Sequence, residues 1–462
     1  MNTQTQPAEN KMGVKPILPL LLSMSLPSMA SMLVQALYNI VDGIYVAHID
    51  PDAMTAISLA GPVQMLMISM AVGTGVGVNS LISRRLGQKN QRDANAAATH
   101  SLLLAVFTWM GCALLGLFFT ETFFRFFSPS ERIFNYGVSY LSVVTVFSLG
   151  LFLQVACEKI FQSTGSMLTA MLLQLTGTVI NIVLDPILIF GLLGAPKLGV
   201  RGAAIATVIG QVVAGCVGLA ILLRGKKVAV QVSFSGFRWN GRIVKEIYAV
   251  ALPSILNQSI GSLTAVCFNT ILMSFSPNAV WVMGTYAKLE NFLFMPLFGL
   301  THGILPLTGY NFGACNRQRM RETQRYGLLI GCAMMAVGTL VFWLFPRQLL
   351  GLFAPTEELL ELGVPALRTI SICFPFAAIS IVLSTVFQAV GKGSYTLWIS
   401  LLRQIIVLLP CAWALSFLGL RYVWAAFPLS NLFSTSTCVL LMRRLYRTYI
   451  DPILDGAAAQ IA

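Results

Sequence analysis

Two aspartates in apolar surroundings are the residues of this chain best suited to chemistry. Asp42 lies in "ALYNIVDGIYVAHID" (36–50) and Asp185 in "QLTGTVINIVLDPILIF" (174–190). A carboxylate within hydrocarbon costs about 2.5–3.5 kcal/mol on insertion scales, so each needs a physical reason to be there. Each also ends a polar stripe. Ser28, Ser31, Gln35, Tyr38, Asn39 and Asp42 recur at spacings of three and four, which is one face of an α-helix. Gln174, Thr178, Asn181 and Asp185 step by four, three and four. Lipid rejects both stripes, so each is expected to face a lobe interior or a watery cavity.

Depth brings these groups together. The helices carrying Asp42 and Asp185 are both predicted to run outward, with each acid about one and a half turns from the outer end at 3.6 residues per turn. Thr207, in "RGAAIATVIG", belongs to an inward-running helix and lies roughly nine residues from its start. Asp42, Asp185, Asn181 and Thr207 are therefore expected to meet at one level. Two carboxylates in a low-dielectric pocket cannot both stay charged cheaply, so the pair is expected to carry a proton near neutral pH. The same carboxyl, amide and hydroxyl oxygens can instead ligate Na⁺, a hard cation. Either ion entering from outside brings about 2.3 kcal/mol per charge per 100 mV. The competing reading makes each Asp polar glue between helices.

Composition fixes the setting. The chain has 462 residues, 56% hydrophobic and 10% charged, with mean hydropathy +0.77. A soluble domain carries roughly 25% charged residues, so this is read as an integral membrane protein, with the lipid bilayer as its partner. The net charge of +13 does not point to nucleic acid, because Lys and Arg cluster in short loops between apolar segments. The nine Cys occur singly and are read as small buried hydrophobes. His48, His100 and His302 are far apart, which disfavours zinc. "GTGVGVN" (73–79) lacks the spacing of a nucleotide loop and is read as close helix packing.

Apolar segments of spanning length, about 20 residues each, fall near 14–47, 53–83, 96–119, 133–157, 166–191 and 198–223. A second set falls near 243–273, 280–310, 323–345, 362–387, 393–417 and 420–442. The sets match at an offset of 226 (253 − 27): "LPS" recurs, Gly77 pairs with Gly303, Gly87 with Gly313, Asn90 with Asn316, and Gly165 with Gly391. This many matches indicate an internal duplication. Six spans per copy make the repeats parallel, so the expected fold is all-α: twelve transmembrane helices in two six-helix lobes around a cavity. The first run could be mistaken for a secretory signal, but its recurrence near residue 253 favours an uncleaved first helix.

Positive loops place both termini in the cytoplasm. The divisions expected are a polar cytoplasmic tail at 1–13, an N-lobe at 14–223, a basic linker at 224–242, a C-lobe at 243–446 and a second tail at 447–462. Pro27 lies mid-helix, removes a backbone hydrogen bond and is a candidate hinge above Asp42, with a static kink as the alternative. Pro253 repeats it, but Phe268 stands where Asp42 would be. Of the other charges assigned to spans, Lys288 and Glu290 do not share a helix face. Glu290 is expected either to touch a cationic substrate or to pair with Arg403.

"SLPSMASMLVQALYNIVDGIYVAHI", "NIVLDPILIFGLLGAPKLGVRGAAIATVIGQ" and "GYNFGACN" resemble the multidrug and toxic compound extrusion (MATE) family over residues 14–446. Within it they resemble the bacterial branch typified by the DNA-damage-inducible F and multidrug-export A proteins. The resemblance implies efflux of bulky, mostly cationic organic compounds by H⁺ or Na⁺ antiport at the inner membrane, with no further cofactor. It implies a cation site at Asp42, Asp185, Asn181 and Thr207, and places Pro27, Gln35 and Tyr38 around the cavity. Asn39, Gln174 and Thr178 on the same stripes, with Glu290, complete the cavity candidates. The chain is expected to act as a monomer. The other bacterial branch uses a Glu on the seventh helix and an Asp on the tenth; this sequence has Asn257 and Asn269 on the seventh and no carboxylate in the tenth span of 362–387, which argues against a second-lobe cation site of that kind. A lipid-linked oligosaccharide flippase of the same fold is the alternative within transport. It would need several cavity Arg or Lys, whereas the first lobe offers carboxylates. An intramembrane enzyme lacks any supporting motif.

Overall fold

A computed structural model describes residues 10–47, 49–128, 130–224, 229–235 and 237–455, without the side chains of residues 39, 40, 42–44, 46 and 47. Among the described residues, twelve helical stretches are long and apolar enough to span a membrane, each bent pair counted as one. Six form the first lobe: Ile17–Ala47, Pro51–Gly87, Gln91–Phe127, a fourth bent by 45° between Glu131–Val146 and Leu149–Ser163, Met167–Phe190 and Val200–Arg224. Six form the second: Gly241–Met273, Pro277–Gly313, Arg317–Leu344, a tenth bent by 44° between Glu357–Ser371 and Phe374–Ala389, Gly393–Ser416 and Leu420–Asp455. Among the described residues there is no strand.

The duplication reaches the backbone. Asn90 and Asn316 each cap the following helix by accepting from an amide three residues on, at 3.0 and 3.1 Å. Gly165 and Gly391 end the fourth and tenth spans with φ of 79° and 84°, a left-handed conformation that glycine adopts without a Cβ clash. Both bends have local causes. At the fourth, the Thr145 hydroxyl donates to Leu141 O at 2.7 Å and the Ser148 hydroxyl to Thr145 O at 2.7 Å; at the tenth, Pro375 opens the second half. Side chains bonding back into the ladder and proline are both recognised causes of kinks.

The lobes meet through the first, second, seventh and eighth spans, and glycine sets how closely. A Cβ on Gly77 would lie 2.3 Å from Ile247 O, and one on Gly73 would lie 2.5 Å from Ile255 Cγ1. Their repeat partners behave alike: Gly303 would meet Ser25 Oγ at 2.3 Å and Gly299 would meet Met29 Cα at 2.5 Å. At the helix ends Gly87 faces Tyr310 O and Gly313 faces Arg84 O, each at 2.0 Å from the added carbon. Small residues that let backbones approach are the usual basis of helix association in lipid. Polar contacts reinforce this end. Arg85 Nη2 donates to both carboxylate oxygens of Glu246 at 2.9 Å, and the Ser80 hydroxyl donates to Gln388 O at 2.6 Å.

Three segments depart from expectation. The fourth span continues to Ser163, so Glu158 and Lys159, outside the expected 133–157, are inside it. The residues after 446, expected as a tail, continue the last helix to Asp455. There Arg317 pairs with Asp451 at 3.2 Å and Asp455 at 2.7 Å, while Ile450 and Leu454 are buried. The linker is also more than a topology signal. It lies along the third span, where Gln91 Nε2 donates to Ala229 O at 2.6 Å, Gln231 N donates to Asn95 Oδ1 at 2.9 Å and Asn240 N donates to His100 Nε2 at 2.9 Å.

The interface glycines therefore carry a clear expectation. Gly77→Val should lower the melting temperature of the detergent-solubilised protein through overpacking worth about 1–3 kcal/mol. Gly61→Ala, in the same helix with nothing within 4 Å of the added carbon, should leave it unchanged or raise it slightly. Equal effects from the two would discard the close-approach account.

Candidate ion and substrate site

Asn181 organises the first lobe's polar interior. The fifth span carries Gln174, Thr178, Asn181 and Asp185 on one buried face. The amide orientation of Asn181 follows from its neighbours. With its nitrogen toward Asp185 it donates to Asp185 Oδ2 at 2.9 Å and to Tyr38 Oη at 2.9 Å. Its oxygen then accepts from the Thr207 hydroxyl at 3.1 Å and from Thr207 N at 2.9 Å. The reversed amide keeps one bond, to Thr207 Oγ1 at 3.1 Å, so the first orientation is the one that satisfies the site. Three spans, the first, fifth and sixth, are thereby tied at one side chain.

Local sequence explains why these groups meet. The first and fifth spans run parallel and in step: the Ser28 hydroxyl lies 3.8 Å from Met167 Sδ, and two turns on Gln174 Nε2 donates to Gln35 Oε1 at 3.1 Å. Close approach of the fifth and sixth spans rests on glycine again, because a Cβ on Gly210 would lie 2.6 Å from Gly177 O. Asp185 is fully buried and Asn181 nearly so. Pro186 follows Asp185 inside the helix and offers no N–H to the carbonyl four residues earlier, which loosens the ladder there.

The structure thus brings together Tyr38, Asn181, Asp185 and Thr207, with Gln35 and Gln174 as a second pair. The side chains of Asn39 and Asp42 lie outside the described residues. Thr178 spends its hydroxyl on Gln174 O at 3.0 Å, within its own helix. Pro27 lies inside a continuous helix, where the Ser31 hydroxyl donates to Pro27 O at 3.1 Å. Among the described residues no group of three His, Cys, Asp or Glu could hold a metal ion.

The second lobe fills the equivalent volume with rings. Phe268 is buried, with centroids 5.0 Å from Phe427 and 6.5 Å from Trp424. Glu290 lies within electrostatic reach of Arg403 and beside Tyr286. Arg368 is structural: its Nε donates to Trp343 O at 3.2 Å while Trp343 Nε1 donates to Arg368 O at 2.9 Å. Lys288 is exposed, 5.5 Å from the centroid of the Phe353 ring.

One polar cluster has no counterpart in the sequence reading. Gln162 Nε2 donates to Glu158 Oε1 at 2.7 Å, Lys159 Nζ donates to Gln162 Oε1 at 2.9 Å, and Lys159 Nζ lies 3.4 Å from His302 Nε2. The signal was the recurring Gly165, which marks the end of the fourth span beyond the charges.

Comparison with known proteins agrees with this architecture. The MatE family profile matches twice, at residues 27–187 and 253–413, two stretches again 226 apart (253 − 27). The chain is 26% identical to a protein of Shewanella oneidensis named FAD transporter, covering 93% of this chain and 95% of that one. It is 24% identical to the probable multidrug resistance protein NorM of Thermotoga maritima, over 80% of each. It is 26% identical to the multidrug export protein MepA of Staphylococcus haemolyticus, over 80% of each. Among solved structures, an outward-facing multidrug resistance MATE transporter of the MOP superfamily superposes with TM-score 0.90 at 26% identity, covering 96% of this chain and 98% of that one.

If Asn181 holds the three spans, Asn181→Ala should destabilise the purified protein by about 1–3 kcal/mol, the cost of leaving buried partners unsatisfied. Thr207→Val, which keeps the backbone donor, should cost less. Thermal unfolding followed by tryptophan fluorescence measures both, and the reverse order would refute the assignment.

Proposed function

Since this chain belongs to the MatE family of membrane transporters and is not an enzyme, we propose that it exports organic compounds, mostly cations, in exchange for H⁺ or Na⁺ bound at Asp42 and Asp185. The observation that carries this reading is the four-way bonding of Asn181, which holds Asp185 beside Tyr38 and Thr207. Residues 38 and 181 are separated by 143 positions (181 − 38), and so are residues 42 and 185 (185 − 42). Asp42 follows Tyr38 by about one turn, as Asp185 follows Asn181, and this supports bringing the two acids into one pocket.

The chemistry follows from that placement. A proton shared by the two acids, or Na⁺ held by them with the Asn181 and Thr207 oxygens, neutralises a charge pair that hydrocarbon penalises. Export of a cation and entry of the coupling ion alternate because each relieves the same negative charge. Gln35, Tyr38, Asn39, Gln174, Thr178 and Glu290 line or border the substrate path, and Pro27 gives the first helix a place to bend as occupancy changes. The basic loops support a topology with both termini in the cytoplasm and the chain in the inner membrane. The naming of relatives for multidrug export supports the drug reading. The relative named for FAD, a molecule with an anionic pyrophosphate, supports anionic cargo as a second reading, and the buried ammonium of Lys159 favours it.

Transport in proteoliposomes tests the first reading. An organic cation dye should move when an H⁺ or a Na⁺ gradient is imposed, each separately. Asp42→Asn should abolish the coupled movement while the protein still reconstitutes. Unchanged movement in the variant would remove Asp42 from the mechanism.

A further inference from the structure

We propose that His302 and Lys159 form a second proton-binding site, set across the lobe interface, whose protonation parts the lobes at the Gly87–Gly313 end. The inference rests on the transport reading above, in that parting the lobes serves alternating access.

The two residues come from different lobes. Lys159 lies in the second half of the fourth span and His302 in the eighth, with Lys159 Nζ 3.4 Å from His302 Nε2. Lys159 is 3% exposed. Its stem presses on Gly75 of the second span, where an added Cβ would lie 2.5 Å from Lys159 Cγ. An ammonium donates and never accepts, so His302 Nε2 must be the acceptor and its ring hydrogen must sit on Nδ1. Nδ1 is buried and makes no hydrogen bond. The ammonium's other acceptor is Gln162 Oε1, itself held by Glu158.

The direction of donation decides what a proton does. A proton taken from water at the Gly87–Gly313 end can attach only to Nε2, because Nδ1 already bears hydrogen. Nε2–H and the ammonium then face each other as two donors and two positive charges. The contact changes from a hydrogen bond holding the lobes together to a repulsion across their interface. Lys159 is the charged group acting on His302, with Glu158 behind it at 4.0 Å from Nζ. Beside this part of the eighth span, Ser25 and Met29 of the first pack on Gly303 and Gly299, and Gly327 of the ninth on Ile304, and these do not titrate; the charged groups toward the same end are Arg84 of the second span, at Gly313, and Lys11, whose stem packs at Gly165. Loss of the proton restores the acceptor and lets the lobes close. This site is separate from Asp185 and needs no exchange of protons with it.

Distances between spin labels test the proposal. Cysteines at Arg92 and Gln318, exposed positions one repeat apart near the interface end, are labelled in a full-length chain stripped of native cysteines and reconstituted in nanodiscs. Asp42→Asn is included throughout, so that the proposed coupling site does not titrate normally. Lowering the pH from about 8 to about 4 should raise the long-distance population several-fold, because the ring takes its proton readily only when the parted lobes admit water, as an ordinary imidazole does. His302→Gln, whose amide oxygen still accepts from Lys159 but cannot take the proton, should hold the short distance at every pH. Lys159→Met, which keeps the stem against Gly75 without the charge, should also remove the pH response. Opening that persists in His302→Gln, or that is absent once Asp42 is replaced, overturns the proposal. Neither result bears on the Asp42→Asn transport outcome, which is read with unlabelled protein.

Discussion

Hydrocarbon offers no hydrogen bonds, so every polar group inside these spans must find its partner on another part of the protein. That constraint makes polar residues the fasteners of the fold. Asn181 uses both ends of its amide to tie the fifth span to the first and sixth. The Glu158–Gln162–Lys159–His302 chain does the same between lobes. The two fasteners have different mechanical duties. The first lies within one lobe and can persist while the lobes move. The second joins the lobes and has to break if they separate.

Duplication explains why the lobes fit and where they differ. Gly73 and Gly77 press on the seventh span as Gly299 and Gly303 press on the first, so one ancestral contact is used twice. The interiors have diverged. Where the first lobe has a stripe ending in Asp42, the second has Phe268 packed edge-on against Phe427 and tilted against Trp424. Rings fill the volume that a solvated acid would need, and they remove any unpaired charge. The acidic stripe is thus confined to the first lobe, and the second keeps the fold without it.

Much of this was legible in the sequence because two signals reinforce each other. Hydropathy located twelve apolar runs, and the 226-residue offset showed that six of them repeat the other six. The stripe ending at Asp185 could be read because a helix places residues three and four apart on one face. Lys159 was missed for a physical reason. A charge beside an apolar run usually marks the membrane edge, but this ammonium is held inside by Gln162 and His302, the latter 143 positions away (302 − 159), and long-range partners leave no local pattern. The docked linker escaped for the same reason, since its partners Gln91, Asn95 and His100 lie on a helix more than a hundred residues earlier. The helix through Asp455 was hidden by its charges, which are satisfied by Arg317 rather than by water alone.

The nature of the lobe contact bears on how easily it changes. Two helices meeting in lipid gain little from burying apolar area, since lipid is as apolar as they are. What they gain is packing, and here it is packing of bare backbone at glycines, without long side chains interlocked. Such a surface can part without dragging side chains past one another. Of the strong exceptions, Arg85 with Glu246 is partly exposed near the ends of the spans, where water can replace either partner at small cost, while Ser80 with Gln388 O is buried but uncharged. Lys159 with His302 is a buried contact that carries a charge. Because a difference of about 1.4 kcal/mol moves a two-state population tenfold, one buried contact that changes sign on protonation can shift such an interface further than several exposed ion pairs.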